Sequence, residues 1–137
     1  MELVKFINFS LFEEDNGDLS VFEENTSAIP FPIKRIFNVR SEKGSIRGKH
    51  AHRLCSQILI CSNGSIEVMC DNSVIQETYI LDKPNYGLLV SPGIWAEQKY
   101  LINNSSMTVI CDRLYEAEDY IVDYGDFKIF KNSLNHL

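Results

Sequence analysis

The chain has 137 residues, room for one domain with a real core and too little for two ordinary ones. Nineteen acidic against 13 basic residues give a formal net charge of -6, which argues against nucleic acid as a partner but leaves room for a phosphorylated small ligand at a local basic cluster. No run approaches the ~18 apolar residues of a membrane helix, and the opening MELVKFINFSLFEED lacks the basic region and long apolar stretch of a signal peptide.

In chain order, short apolar segments punctuated by Gly, Pro, Asn and Asp predict strands at 3–6, 19–23, 34–39, 45–50, 57–61, 65–70, 73–81, 87–90, 97–103 and 107–114. Asn63-Gly64 and Asp71-Asn72 read as hairpin turns, because Gly adopts left-handed backbone freely and Asn or Asp tolerates it. The one helical pattern is the tail, 116–134, read as two short pieces parted near Gly125. Many short strands with frequent turns predict a single all-β domain over residues 1–137, a sandwich or a small barrel. The N-terminal apolar segment, 3–12, is more than a small barrel covers alone, which favours a homodimer. Cys55, Cys61, Cys70 and Cys111 form no CxxC pair and sit in or beside apolar runs, so they read as buried free thiols in a reducing, cytoplasmic setting.

The chemistry concentrates in one stretch, Gly44 to Gly64. His50 and His52 stand two apart and so share one face of a strand. Arg47 and Lys49 precede them, on the opposite face of a regular strand, unless Gly48 introduces a bulge. Two imidazoles on one wall can grip a metal or move a proton. The spacing Gly44, His50, His52, Gln57, Gly64 resembles the first motif of the cupin superfamily of double-stranded β-helix (jelly-roll) barrels, and GLLVSPGIWAE resembles the second. Gln57 holds the place of that motif's glutamate, and Ala96 the place of the third histidine. Two imidazoles, an amide and a methyl group are a poor transition-metal site, so no metal is expected.

Further motifs make the resemblance specific. IPFPIKRIF, RGKHAH, Gln57 to Gly64, GLLVSPGIWAE and DRLYEAEDYIVDYGDF, in this order between residues 17 and 127, are similar to the WxcM-like (FdtA/QdtA) branch of the cupins, the dTDP-4-keto-6-deoxyglucose 3,4-ketoisomerases. The resemblance implies a cupin barrel with a short helical tail and a homodimer that exchanges N-terminal strands. It also implies a reaction without cofactor, which moves the carbonyl of a dTDP-linked 4-keto-6-deoxyhexose from C4 to C3 through an enediol. His50 and His52 match the catalytic pair. Arg35, Asn38, Arg47, Lys49, Gln57, Trp95 and Glu97 are the substrate-binding candidates. Arginine suits a diphosphate because its fixed fork gives paired hydrogen bonds. Trp95 reads equally as a wall for the sugar or as packing, and Tyr115, Tyr120 and Tyr124 as packing for the tail. Relatives commonly carry tyrosine at Asn38, histidine at Ala96 and arginine at Val122. These departures keep open a second reading, a nucleotide-sugar-binding cupin that acts as a pathway partner without turnover.

Overall fold

The computed structural model describes residues 1–135. Its strands are β1 (Val4–Asn8), β2 (Ser10–Glu14), β3 (Gly17–Val21), β4 (Arg35–Ser41), β5 (Ile46–His52) and β6 (Gln57–Asn63). After these come β7 (Ile66–Asp71), β8 (Gln76–Leu81), β9 (Tyr86–Val90), β10 (Trp95–Tyr100), β11 (Ser105–Cys111) and β12 (Tyr120–Ile121), then one helix, α1 (Tyr124–Leu134). Two five-stranded antiparallel sheets, in the orders β1-β9-β6-β11-β4 and β12-β5-β10-β7-β8, face each other, and β2 and β3 form a separate hairpin. This is the jelly-roll arrangement expected from the sequence.

Three layers of apolar packing explain why so many strands read as continuous hydrophobic runs. Leu59, Leu88 and Val109 of the first sheet meet Val68, Cys70 and Tyr100 of the second in the central core. The other face of the first sheet, through Ile58, Ile60 and Ile110, is covered by Ile29 and Phe31 from the loop before β4. The first five residues of β6, Gln57 to Cys61, are all buried as a result, the pattern of a strand covered on both sides. The outer face of the second sheet is covered by α1, whose fully buried Phe127 packs with Ala51, Trp95 and Ile121.

Two features differ from the sequence reading. Asn63-Gly64 is no hairpin: β6 and β7 lie in different sheets, and the pair turns the chain across the gap. Gly64 has φ +91 there, and a Cβ would collide with Ser105. Asp71-Asn72 is a true hairpin turn, with Asp71 opposite Gln76. The tail is not two helices either. A single 3-10 turn (Ala117–Asp119) leads into β12, which pairs with β5, and one helix follows. The carboxylate of Asp123 caps that helix by accepting from Asp126 N at 2.9 Å, so Gly125 sits inside the first turn instead of ending anything. Among the described residues no helix is long and apolar enough to cross a membrane.

Candidate active site

The pairing of β5 with β10 sets which side chains enter the space between the sheets. Ala96 pairs with His50, Gln98 with Arg47 and Glu97 with Gly48, so Lys49 is an extra residue without a partner. Directly paired residues point to the same side of a sheet. Ala96, Gln98 and Tyr100 are the buried inward set of β10. The one-residue bulge at Gly48 (φ +84) and Lys49 (φ +58) therefore brings Arg47 onto the same inner wall as His50, which a regular strand would forbid. A Cβ at Gly48 would press on Gln98 Oε1, the end of a flexible side chain that would have to move aside, and the left-handed backbone there favours glycine.

Arg47 and His50 line a cavity of about 280 Å³ between the sheets. Gln57, Gln98, Tyr100 and Tyr120 supply its other polar groups, and Phe37, Val39, Leu59, Met107 and Val109 its apolar wall. Apolar walls with a few convergent polar groups are the usual build of a small-molecule site. The Tyr100 hydroxyl is buried without a partner, and burial pushes it up to about 12, so it stays a protonated donor.

The two histidines differ in their surroundings. His50 faces the cavity, and its ring lies 5.1 Å from those of both His52 and Tyr120. Burial lowers its pKa below the ordinary imidazole value of 6.5 and the neighbouring His52 lowers it further, while the Gly48 carbonyl works the other way. It is thus a neutral base at pH 7. His52 is buried behind it, with Nδ1 2.7 Å from Asp119 Oδ2. Burial lowers this pKa too, against the opposing pull of Asp119. Burial would raise the Asp119 carboxyl, but hydrogen bonds from His52 and the backbone of Leu54 and Cys55 outweigh it and keep the group ionised. Its Oδ1 accepts from Leu54 N at 2.6 Å and Cys55 N at 3.3 Å. An ionised carboxylate on Nδ1 fixes the proton there and leaves Nε2, buried and without a partner, as the bare nitrogen.

Tyr120 completes the cluster. Its ring packs 4.4 Å from that of His52, and its hydroxyl accepts from Arg35 Nη2 at 3.3 Å. A hydroxyl that accepts keeps its own proton free to donate, and burial raises its pKa despite the nearby arginine. Arg35 also donates to Cys111 Sγ at 3.6 Å, as does Gln57 Nε2 at 3.5 Å. Among the predicted residues, then, His50, Arg47 and Gln57 share the cavity wall, and His52 and Arg35 stand immediately behind it.

Four candidates lie elsewhere. Asn38 points outward and accepts from Thr108 Oγ1 at 2.7 Å; its neighbour Phe37 is the residue that enters the cavity. Lys49 is exposed on the bulge. Trp95 is buried on the outer face, stacked edge-on to Tyr124 and packed on Phe127, and its Nε1 donates to Glu97 Oε2 at 2.9 Å. The structure brings none of these four to the cavity. Conversely, Asp119, Tyr120, Gln98 and Tyr100 are site residues that the sequence reading missed or took for packing.

Comparison with known proteins identifies the family. Residues 2–132 match the family described as WxcM-like, C-terminal (FdtA). The TDP-4-oxo-6-deoxy-alpha-D-glucose-3,4-oxoisomerase of Aneurinibacillus thermoaerophilus is 43% identical over 94 residues, 68% of this chain and 67% of that protein. A 3,4-ketoisomerase from Helicobacter canadensis superposes with a TM-score of 0.89 at 32% identity, covering 94% of this chain and 97% of the other. QdtA, a sugar 3,4-ketoisomerase from Thermoanaerobacterium thermosaccharolyticum solved in complex with TDP, gives a TM-score of 0.92 at 28% identity, with 97% of each chain covered. The chain belongs to the WxcM-like, C-terminal (FdtA) family of 3,4-ketoisomerases, built on the cupin fold.

Proposed function

We propose that the protein is an isomerase that converts a dTDP-4-keto-6-deoxyhexose into its 3-keto isomer, in deoxyamino-sugar biosynthesis. The observation that carries this is the bulge that sets Arg47 and neutral His50 on one wall of a mostly apolar cavity, backed by the His52–Asp119 pair. At about 280 Å³ the cavity is at the small end of ligand sites (~300–1,000 Å³), so it takes the hexose while the nucleotide lies across the mouth.

His50 removes the proton from C3, and the electrons move to place negative charge on the oxygen at C4. Tyr120, with its proton free, and Arg47 stabilise that enediolate. The C3 hydroxyl proton passes to the C4 oxygen, and a proton returned to carbon C4 completes the exchange. His52, oriented by Asp119, offers a second basic nitrogen behind His50. Phe37 and Ala96, small or apolar where a donor could stand, leave the donor work to Tyr120, Tyr100 and Gln98.

Incubation with dTDP-4-keto-6-deoxyglucose in deuterated water, followed by NMR, tests the reading: deuterium enters the sugar at C3 or C4 if the proton is abstracted. Tight dTDP binding with no deuterium exchange would favour the second reading, a non-catalytic partner, which Ala96 and Phe37 would suit. We assign the protein to the cytoplasm, since all four cysteines are free and buried. Residues 1–137 are taken as one domain and the active form as a homodimer. Phe12 and Leu19, paired across the β2–β3 hairpin and more than half exposed, support association. In the single chain β1 pairs with β9, so strand exchange would carry that pairing to a partner.

A further inference from the structure

Behind the cavity wall, a ring nitrogen of His52, the thiol of Cys55 and the carboxylate of Asp119 lie within 4.8 Å of one another, and all three residues are buried. Cys111 stands beside them. Its thiol and that of Cys55 are within hydrogen-bond reach, and the backbone of Asp112 ties this end of β11 to Ser56 at 3.2 Å. Imidazole, two sulfurs and one carboxylate are donors for zinc and its thiophilic relatives, and a poor set for magnesium or calcium. The set is separate from the cupin metal position, whose four places are His50, His52, Gln57 and Ala96; only His52 belongs to both.

We propose that His52, Cys55 and Asp119, with Cys111 as the fourth donor, form an inhibitory site for a thiophilic divalent cation such as zinc. The ion takes the place of the proton shared by His52 Nδ1 and Asp119 Oδ2. Those atoms are 2.7 Å apart. Donors around a tetrahedral zinc stand about 3.3–3.8 Å apart, so the pair opens by well under an ångström while the sulfurs draw in. Cys55 loses its proton on binding. Coordination at Nδ1 displaces the single ring proton to Nε2, the nitrogen that is bare and unpartnered in the free protein. The cation thereby removes a basic lone pair from the catalytic cluster without entering the cavity. The inhibition rests on the isomerase reading; the binding does not.

The experiment uses full-length protein stripped with EDTA and titrated with cobalt(II), then with zinc. An intense thiolate-to-cobalt charge-transfer band, saturating at one ion per chain and displaced by zinc, is expected. Turnover should fall at least tenfold as zinc saturates, return with EDTA, and ignore magnesium; EDTA alone should leave the stripped enzyme unchanged. Cys55→Ala should keep its basal turnover, lose the cobalt band and resist zinc at least tenfold better. Absence of a thiolate band in the wild type would overturn the site whatever the fate of the variant. So would equal zinc inhibition of wild type and Cys55→Ala, which would place the ion elsewhere, on His50 for example. A cobalt band with no isomerase activity at any metal level would keep the site and sink the isomerase reading instead.

Discussion

Replacing Asp119 with asparagine tests the link between the buried pair and the chemistry. The side chain keeps its shape, and its remaining oxygen can still accept from Leu54 and Cys55, so the 53–55 turn holds. What changes is the partner of His52 Nδ1 at 2.7 Å. An amide N–H in that place forces Nδ1 to accept and transfers the ring proton to Nε2, inverting the tautomer. A hydrogen bond to a charged group is worth about 1.5–3 kcal/mol. At ~1.36 kcal/mol per decade that amounts to a loss of roughly 10- to 150-fold in turnover. Because the cavity wall is untouched, dTDP affinity should stay within about twofold. The assay is steady-state turnover of dTDP-4-keto-6-deoxyglucose by NMR across pH, with calorimetry of dTDP binding alongside. Asp119→Asn should also shift the pH profile downward, since Asp119 is what holds the His52 pKa up against burial. Turnover within twofold of wild type, or a loss confined to KM with an unmoved profile, would refute the argument that Asp119 acts as a positioning residue through His52.

His50→Asn keeps a polar side chain in the cavity and removes the base. Turnover should fall by the ~10²–10⁴-fold typical of general base catalysis with dTDP binding nearly intact, and a fully active His50→Asn/His52→Asn double variant would take both residues out of the mechanism. The acid limb of kcat/KM should lie below the ordinary imidazole value of 6.5, because burial lowers both histidines; a limb above that value would contradict a buried neutral base. The same shifts predict acid destabilisation. Between the folded pKa values and 6.5 the unfolded chain binds protons that the folded chain does not, so stability is full above 6.5 and is lost as pH falls. Urea midpoints measured from about pH 7.5 down to 5.5 should decrease, and a flat series would count against the burial argument. Gly48→Ala should cost about 1–2 kcal/mol from the left-handed backbone alone and more from the clash with Gln98. Adding Gln98→Ala should recover part of that stability; equal midpoints for the single and double variants would show that the clash is not felt.

How much of this site the sequence discloses depends on how local its geometry is. The HAH pair is legible because alternation on a strand is a two-residue rule, and no bulge falls between the two histidines. Arg47 is not placed by that rule. One unpaired residue at Lys49 reverses its side, and only the pairing of Gln98 with Arg47 reveals it. Asp119 and Tyr120 are 67 and 68 residues beyond His52, in a segment whose acidic start suggests a helix. β12 is two residues long, too short to show any period, and exists because β5 offers an open edge to pair with.

Trp95 and Glu97 teach the opposite lesson, because the information was present. If Ala96 stands at the place of an inward-facing histidine, period two sends Trp95 and Glu97 to the other face and brings Gln98 and Tyr100 inside. The structure has that arrangement: Trp95 bonds to Glu97 under α1, while Gln98 and Tyr100 line the cavity. Matching residues to a motif by proximity selects the conspicuous tryptophan. Carrying the alternation through from the one fixed position selects the glutamine and the tyrosine. Gln98 then has two duties: it lines the cavity, and it pairs with Arg47 across the bulge, with its Oε1 against Gly48. A residue that appears only as an unremarkable amide in the sequence is thereby tied to the orientation of the active-site arginine.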